Sequence, residues 1–237
     1  HGATHDVLAC WFGVDRSTIT RAIGEVRPLL AERGCTISPG VRLRTLADVI
    51  DHLGASGQTG IVDGTEIRVR RPATGRKDRD RFISGKNKQN AVKAMVLTNG
   101  DGRLLFCSPT KPGSCADITH ARESGLVKLL ADGQAVEILA DAGYQGLGAQ
   151  TGGRVVTPPH RKFKKNAPDW YEEMHERQHK AHSSRRIRVE HGIAHLKNWR
   201  ALARHLGRRE HMSDMVQAVA GLLSHQQTAD LGPRRQR

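Results

Sequence analysis

The sequence predicts an α/β fold, a mixed sheet flanked by helices, behind a small all-helical unit. Three observations predict it. Residues 60–107 hold three strand-like runs rich in β-branched and aliphatic residues, the last two joined by the tight turn NGDG. Residues 117–141 then run from a helical spacing into a short apolar stretch with β-formers on both parities, as in a strand buried on both faces. Helical spacing also governs residues 5–30 and most of the chain beyond 183. Three antiparallel strands, a helix, two further strands and closing helices suit a sheet covered on its faces by helices.

Residues 5–30 predict a helix-turn-helix. HDVLACWFG supplies Leu8, Ala9 and Phe12 at helical spacing, Gly13 ends that helix, and Val14 plugs the turn. Ser17 is the expected cap of a second helix whose Ile19, Ala22, Ile23 and Val26 face inward. Arg16, Thr18, Thr20 and Arg21 then stand on the exposed start of a recognition helix, where phosphates and base edges are reached. An ordinary αα-hairpin has the same spacing; the basic charge favours DNA. Residues 1–35 are assigned to this unit. Residues 36–59 read as a linker with one short helix, LADVIDHL, broken by GASGQTG.

The α/β region is expected over 60–228, with a basic tail at 229–237. GIVDGTEIRVRR is its first strand, carrying Asp63 near its start and Glu66, Arg68 and Arg70 on a polar face. Residues 72–90 are basic and without period, a loop or distorted hairpin. AVKAMVLT and RLLFCS form a hairpin. Residues 117–130 predict one amphipathic helix with Ile118, Ala121, Leu126, Leu129 and Leu130 inward. The next strand ends at Asp141, and RVVTP is a weaker one. Ser183 or Ser184 is expected to cap a helix reaching about residue 203. Ser213 is expected to cap another, with Met215, Val216, Val219, Leu222 and Leu223 as its apolar stripe.

Charge narrows the function. Lys and Arg number 38 against 24 Asp and Glu, a net +14 spread over the whole length. A folded chain this basic meets a polyanion, because each neutralised phosphate releases counterions. Cys10, Cys35, Cys107 and Cys115 form no CxxC pair and are expected to be reduced thiols of a cytoplasmic protein. No apolar run approaches the ~18 residues a membrane span needs, and no signal peptide is visible. The chain opens on His1, so an incomplete N-terminus is expected.

Three acids carry the candidate chemistry. Asp141 ends a buried strand, where open α/β sheets place their ligands; alone, it could be a turn residue. Asp63 lies on the first strand of the sheet. Glu190 lies on the helix after the sheet, with Arg186 and Lys197 on its helical side, a pattern also seen on plain surfaces. Adjacent strands can bring the aspartates together and a packed helix can add the glutamate. Carboxylates so gathered require cations, and Mg²⁺ takes a few carboxylates plus water and phosphate oxygens. Two such ions would activate a water or 3′-hydroxyl for in-line phosphoryl displacement, with Lys and Arg holding the DNA backbone.

VDGTEI, PGSCADITHAR, ILADAGYQG and RVEHGIAHLKNW resemble, in order, the signature blocks of the DDE transposases, in their insertion-sequence and PIF/Harbinger-like branch. With the helix-turn-helix the resemblance covers nearly the whole chain. It implies a ribonuclease-H-like catalytic core, Asp63, Asp141 and Glu190 as the metal-binding catalytic triad, and Lys197 as a DNA contact. It further implies two Mg²⁺ or Mn²⁺ ions, double-stranded DNA as partner, a homodimer or higher assembly on DNA, and a place on the bacterial nucleoid. Family members often carry His-Asp after the Gly-Ser of the second block; here Ala116 precedes Asp117, which leaves Asp117 as a plain helix start. Two alternatives stand beside a transposase: a DNA-binding protein without catalysis, and a metal-dependent nuclease that cuts without joining. His175-Glu-Arg-Gln-His179 spells HExxH, but among Glu172, Glu173 and Lys180 it reads as a solvated helix, with an adventitious zinc site possible at His175, His179 and His182.

Overall fold

The computed structural model describes residues 3–75, 77–163, 167–203 and 209–230. Most of the basic tail expected at 229–237 lies outside the described residues. Helix α1 (His5–Phe12) starts where Thr4 accepts a hydrogen bond from the Val7 amide, and it ends at Gly13, whose φ is +64°. Helix α2 (Arg16–Glu32) is capped by Asp15, which accepts from the Ser17 amide at 2.7 Å, so the cap is Asp15 and not Ser17. Carboxylate at this position also meets the positive helix end. Ala9 is buried between the two helices, but α2 buries no residue, and Ile23 and Val26 remain exposed. The expected inward face of α2 instead walls an apolar groove shared with the last helix.

Residues 36–59, expected as a linker, are built into the core. Strands β1 (Cys35–Ser38) and β2 (Val41–Leu43) form an antiparallel hairpin. Helix α3 (Leu46–Ser56) has a capping box, with Thr45 and Asp48 satisfying each other's amides. Its Leu46, Val49, Ile50 and Leu53 are buried in the main apolar cluster, which no loose connection could do. LADVIDHL therefore has helical spacing because it is a core helix.

Strands β3 (Gly60–Arg68) and β4 (Ala91–Asn99) pair antiparallel over nine residues, and β5 (Leu104–Cys107) adds to β4. Between β3 and β4, the described residues of 72–90 form a loop that includes a short turn of 3₁₀ helix at Arg79–Phe82. β6 (Lys111–Pro112) pairs with the far end of β4. The helix expected over 117–130 is two helices, α4 (Asp117–Glu123) and α5 (Leu126–Asp132), because Gly125 between them takes φ +83°. β7 (Ile138–Leu139) pairs parallel with β3; after α6 (Leu147–Gln150), β8 (Val155–Val156) pairs parallel with β7. The sheet order is β5-β4-β3-β7-β8, antiparallel on one side of β3 and parallel on the other. That mixed sheet flanked by helices, behind a helix-turn-helix, matches the expected fold class and is consistent with a ribonuclease-H-like core.

Both faces of β4 are covered, which is why its sequence is almost continuously apolar. Met95 and Leu97 face the cluster of α3, α5 and α6; Val92, Ala94 and Val96 face the closing helices. Helix α7 (Asp169–Asn198) starts well before Ser183 and Ser184 and runs 30 residues, ending just before α8 (Arg200–Ala203). Its buried His182, Val189, Gly192 and Leu196 recur every three to seven residues as one stripe. Helix α9 (Met212–Ala229) begins at His211 rather than on a Ser213 cap; the Ser213 hydroxyl accepts the Thr110 amide instead. Val216, Val219 and Leu223 are buried as expected, while Leu222 is exposed toward the groove beside α2.

Candidate active site

The register between β3 and β7 decides the site. Ile61 pairs with Leu139 in parallel, and Asp63 and Asp141 each follow two residues later, so the chain brings together Asp63 on β3 and Asp141 just past the end of β7. Ile61, Val62, Leu139 and Ala140 are fully buried, which anchors both strand ends. The Asp63 carboxylate accepts the Gly64 amide at 2.7 Å, and Asp141 accepts the Gly143 amide at 2.9 Å. Each acid is thus oriented by the backbone just after it.

Helix α7 brings the remaining groups. Its buried Val189 packs on Ile61 and Leu139, and His182 Nε2 donates to the Ala140 carbonyl at 2.9 Å, next to Asp141. This docking turns Arg186, Glu190 and Lys197 toward the strand ends. Asp63, Asp141, Glu190, Arg186 and Lys197 all line one cleft of about 480 Å³. The five residues expected in the sheet-side site therefore converge.

Burial pushes the Asp63 carboxyl up to about 6, with the Asp141 and Asp117 charges adding to the effect and Arg186 opposing it. Arg186 Nη2 stands 3.3 Å from Asp63 Oδ2, and both side chains are mostly buried. Burial lowers the Lys197 pKa, against the opposite pull of Glu66 and Asp63. By its chemistry the donor set suits a hard divalent ion. Asp63, Asp141 and Glu190 offer only carboxylate oxygen, the donor such an ion takes. Among the described residues, no three His, Cys, Asp or Glu side chains are grouped closely enough to hold an ion.

Lys93 and the Ser84 behind it escaped the sequence reading, and Glu66 and Asp117, read there only as a polar strand face and a helix start, line the cleft. Lys93 Nζ lies 3.1 Å from Asp117 and 4.0 Å from Glu66, directly across the β3–β4 ladder from Glu66. Ser84, fully buried, donates to the Glu66 carboxylate at 2.7 Å and accepts the amides of Lys86 and Asn87. A lone lysine inside the apolar run AVKAMVLT was the available signal, because an unpaired charge is not left in a covered strand. Asp117 does start α4, as expected, yet its carboxylate also lines the cleft.

The helix-turn-helix residues lie on the surface. Arg16 pairs with Asp6 at 3.5 Å, Thr20 donates to the Arg16 carbonyl, and Arg16, Thr20 and Arg21 line one shallow exposed depression. Thr18 is exposed on the same helix. Of the HExxH histidines, His175 and His179 stack on each other and His175 meets the Pro159 carbonyl, while His182 turns inward to Ala140. All four cysteines are free thiols; Cys35 and Cys107 are buried, and burial pushes Cys35 up to about 12. Among the described residues no helix is long and apolar enough to cross a membrane.

Comparison with known proteins gives the family. Residues 62–224 match the family model described as DDE superfamily endonuclease, and residues 1–36 match the helix-turn-helix of DDE superfamily endonuclease. A protein of Streptomyces albus G, named as a transposase for insertion sequence element IS112, is 30% identical over 198 residues. That alignment covers 82% of this chain and 63% of the relative, so the chain spans under two thirds of the relative's length. No solved structure matches the chain.

Proposed function

From a chain that belongs to the DDE superfamily endonucleases, we propose a transposase that cuts and joins DNA at the ends of an insertion sequence. Asp63, Asp141 and Glu190 are its catalytic acids. The observation that carries this reading is the parallel β3–β7 register, which sets Asp63 beside Asp141 in a cleft also lined by Glu190. Water attacks the scissile phosphorus and breaks its P–O3′ bond, leaving a 5′-phosphate and a free 3′-hydroxyl. That hydroxyl then attacks a target phosphorus, forming a new P–O bond as the target's own 3′-oxygen leaves as a 3′-hydroxyl. Two Mg²⁺ or Mn²⁺ ions, held by the three acids, supply nucleophile activation and charge neutralisation when bound.

The protein's own groups bind and orient the strand. Arg186 and Lys197, on the Glu190 side of α7, contact backbone phosphates of a strand lying in the cleft. Arg16, Thr18, Thr20 and Arg21 dock α2 on the element end, giving residues 1–35 the recognition role and residues 60–228 the chemistry. Two ends must be held together for joining, so the working form is a homodimer or larger on nucleoid DNA.

The test is nicking of supercoiled plasmid in Mg²⁺ or Mn²⁺, followed by joining of a labelled element end. Wild type should nick and join, whereas Glu190→Ala and Asp141→Asn should do neither yet bind DNA as wild type does. Nicking without joining would identify a plain nuclease. Wild type that binds the element's own ends without cutting them would identify a non-catalytic DNA-binding protein.

A further inference from the structure

Asp117 lies against both loops that carry the strand-end aspartates. A Cβ on Gly64, the residue after Asp63, would collide with the Asp117 carboxylate. A Cβ on Gly143, two residues after Asp141, would stand 3.2 Å from Asp117 Oδ2. Glycine at both places lets one carboxylate touch two backbones. Those same glycines donate the amides that orient Asp63 and Asp141. Displacing either glycine would therefore turn an acid.

A third carboxylate beside two others is tolerated because Lys93, only 11% exposed, pairs with Asp117 at 3.1 Å. Lys93 is itself steadied by Glu66, and Glu66 by Ser84. A chain of contacts thus runs from the buried Ser84 hydroxyl to the two glycines.

We propose that Asp117, with Lys93 as its counter-ion, is a positioning residue that acts through Gly64 and Gly143 to hold the Asp63 and Asp141 carboxylates in fixed relation for metal binding. This rests on the reading of those two acids as metal ligands. Groups that orient ligands typically contribute 10–100-fold to metal affinity.

The experiment is Mn²⁺ binding to the full chain without DNA, followed by calorimetry and by electron paramagnetic resonance of free Mn²⁺. The chains compared are wild type, Asp141→Asn, Asp117→Ala, Asp117→Asn and Gly64→Ala. Asp117→Ala should bind Mn²⁺ about 10–100-fold more weakly. Asp117→Asn, of the same shape, should recover most of the affinity, and Gly64→Ala should reproduce the loss by pushing Asp117 away. Asp117→Ser replaces the alanine variant if that one fails to fold. Equal losses in the Asn and Ala variants would overturn positioning and make Asp117 a direct ligand. Unchanged affinity in Asp117→Ala would also overturn it and leave Asp117 a helix start. If wild type binds no Mn²⁺, or Asp141→Asn binds as well as wild type, the metal-site reading itself falls and the proposal with it.

Discussion

Asp63→Asn should make the metal-free protein more stable while destroying its chemistry. The folded chain raises the Asp63 carboxyl from 3.8 to about 6, chiefly because burial disfavours its charged form. At 1.36 kcal/mol per pKa unit, a shift of roughly two units makes the charged form cost the fold about 3 kcal/mol. A fifth of the side chain is still exposed, which trims the figure to about 1–3 kcal/mol. Asparagine keeps an oxygen for the Gly64 amide and removes the charge. For a chain of this size the gain corresponds to a Tm rise of roughly 2–10 °C.

The pH dependence follows from the sign. A raised folded pKa means the native state binds more protons than the unfolded chain between about pH 4 and 6, so this group's contribution to stability falls as pH rises through that window. The advantage of Asp63→Asn should therefore vanish near pH 4 and be complete above about pH 7. Thermal unfolding in EDTA at both pH values measures it. Added Mg²⁺ should then stabilise wild type and leave the variant unchanged. A variant that melts at or below wild type at pH 7.5 in EDTA would show that Arg186 fully compensates the buried charge, refuting the reasoning.

Two further outcomes are expected. Ser84→Ala removes a donor to Glu66 and an acceptor for two loop amides, a loss of about 1–3 kcal/mol; limited trypsin digestion should cut at Lys86 or Lys88 sooner than in wild type, and an unchanged rate would place the loop's anchor elsewhere. Arg21→Ala should weaken binding to an element end and lower the salt slope by about one if Arg21 contacts a phosphate; an unaltered slope in a binding titration from low to high salt would remove Arg21 from the interface.

Local patterning carried much of the fold. The β4–β5 hairpin was legible from two apolar runs around NGDG, and α1 and α2 from their spacing and the Gly13 stop. Where local signals were misassigned, long-range packing was the cause. LADVIDHL looks like a linker helix between polar stretches, yet Val49, Ile50 and Leu53 are needed by the sheet-side core. The single helix expected from 117 breaks at Gly125, and the choice between a tolerated helical glycine and a left-handed turn depends on what its neighbours pack against. On α7 the two histidines of the HExxH spelling stack on each other, while His182 turns away from them to the Ala140 carbonyl.

What the sequence alone determined is the class of elements and their order, and it singled out the three acids with Arg186 and Lys197 as candidates, because periodicity, turn residues and the family's motif blocks are all local. What only the tertiary structure decided is which residues share a point in space. The parallel β3–β7 register brings Asp63 and Asp141 together, the Val189 and His182 contacts seat α7 so that Glu190 lines the same cleft, and the close approach at Gly64 and Gly143 brings in Asp117 with Lys93. Those pairings join residues far apart in the chain, and a one-residue slip in the register would have turned the same acids to opposite faces of the sheet.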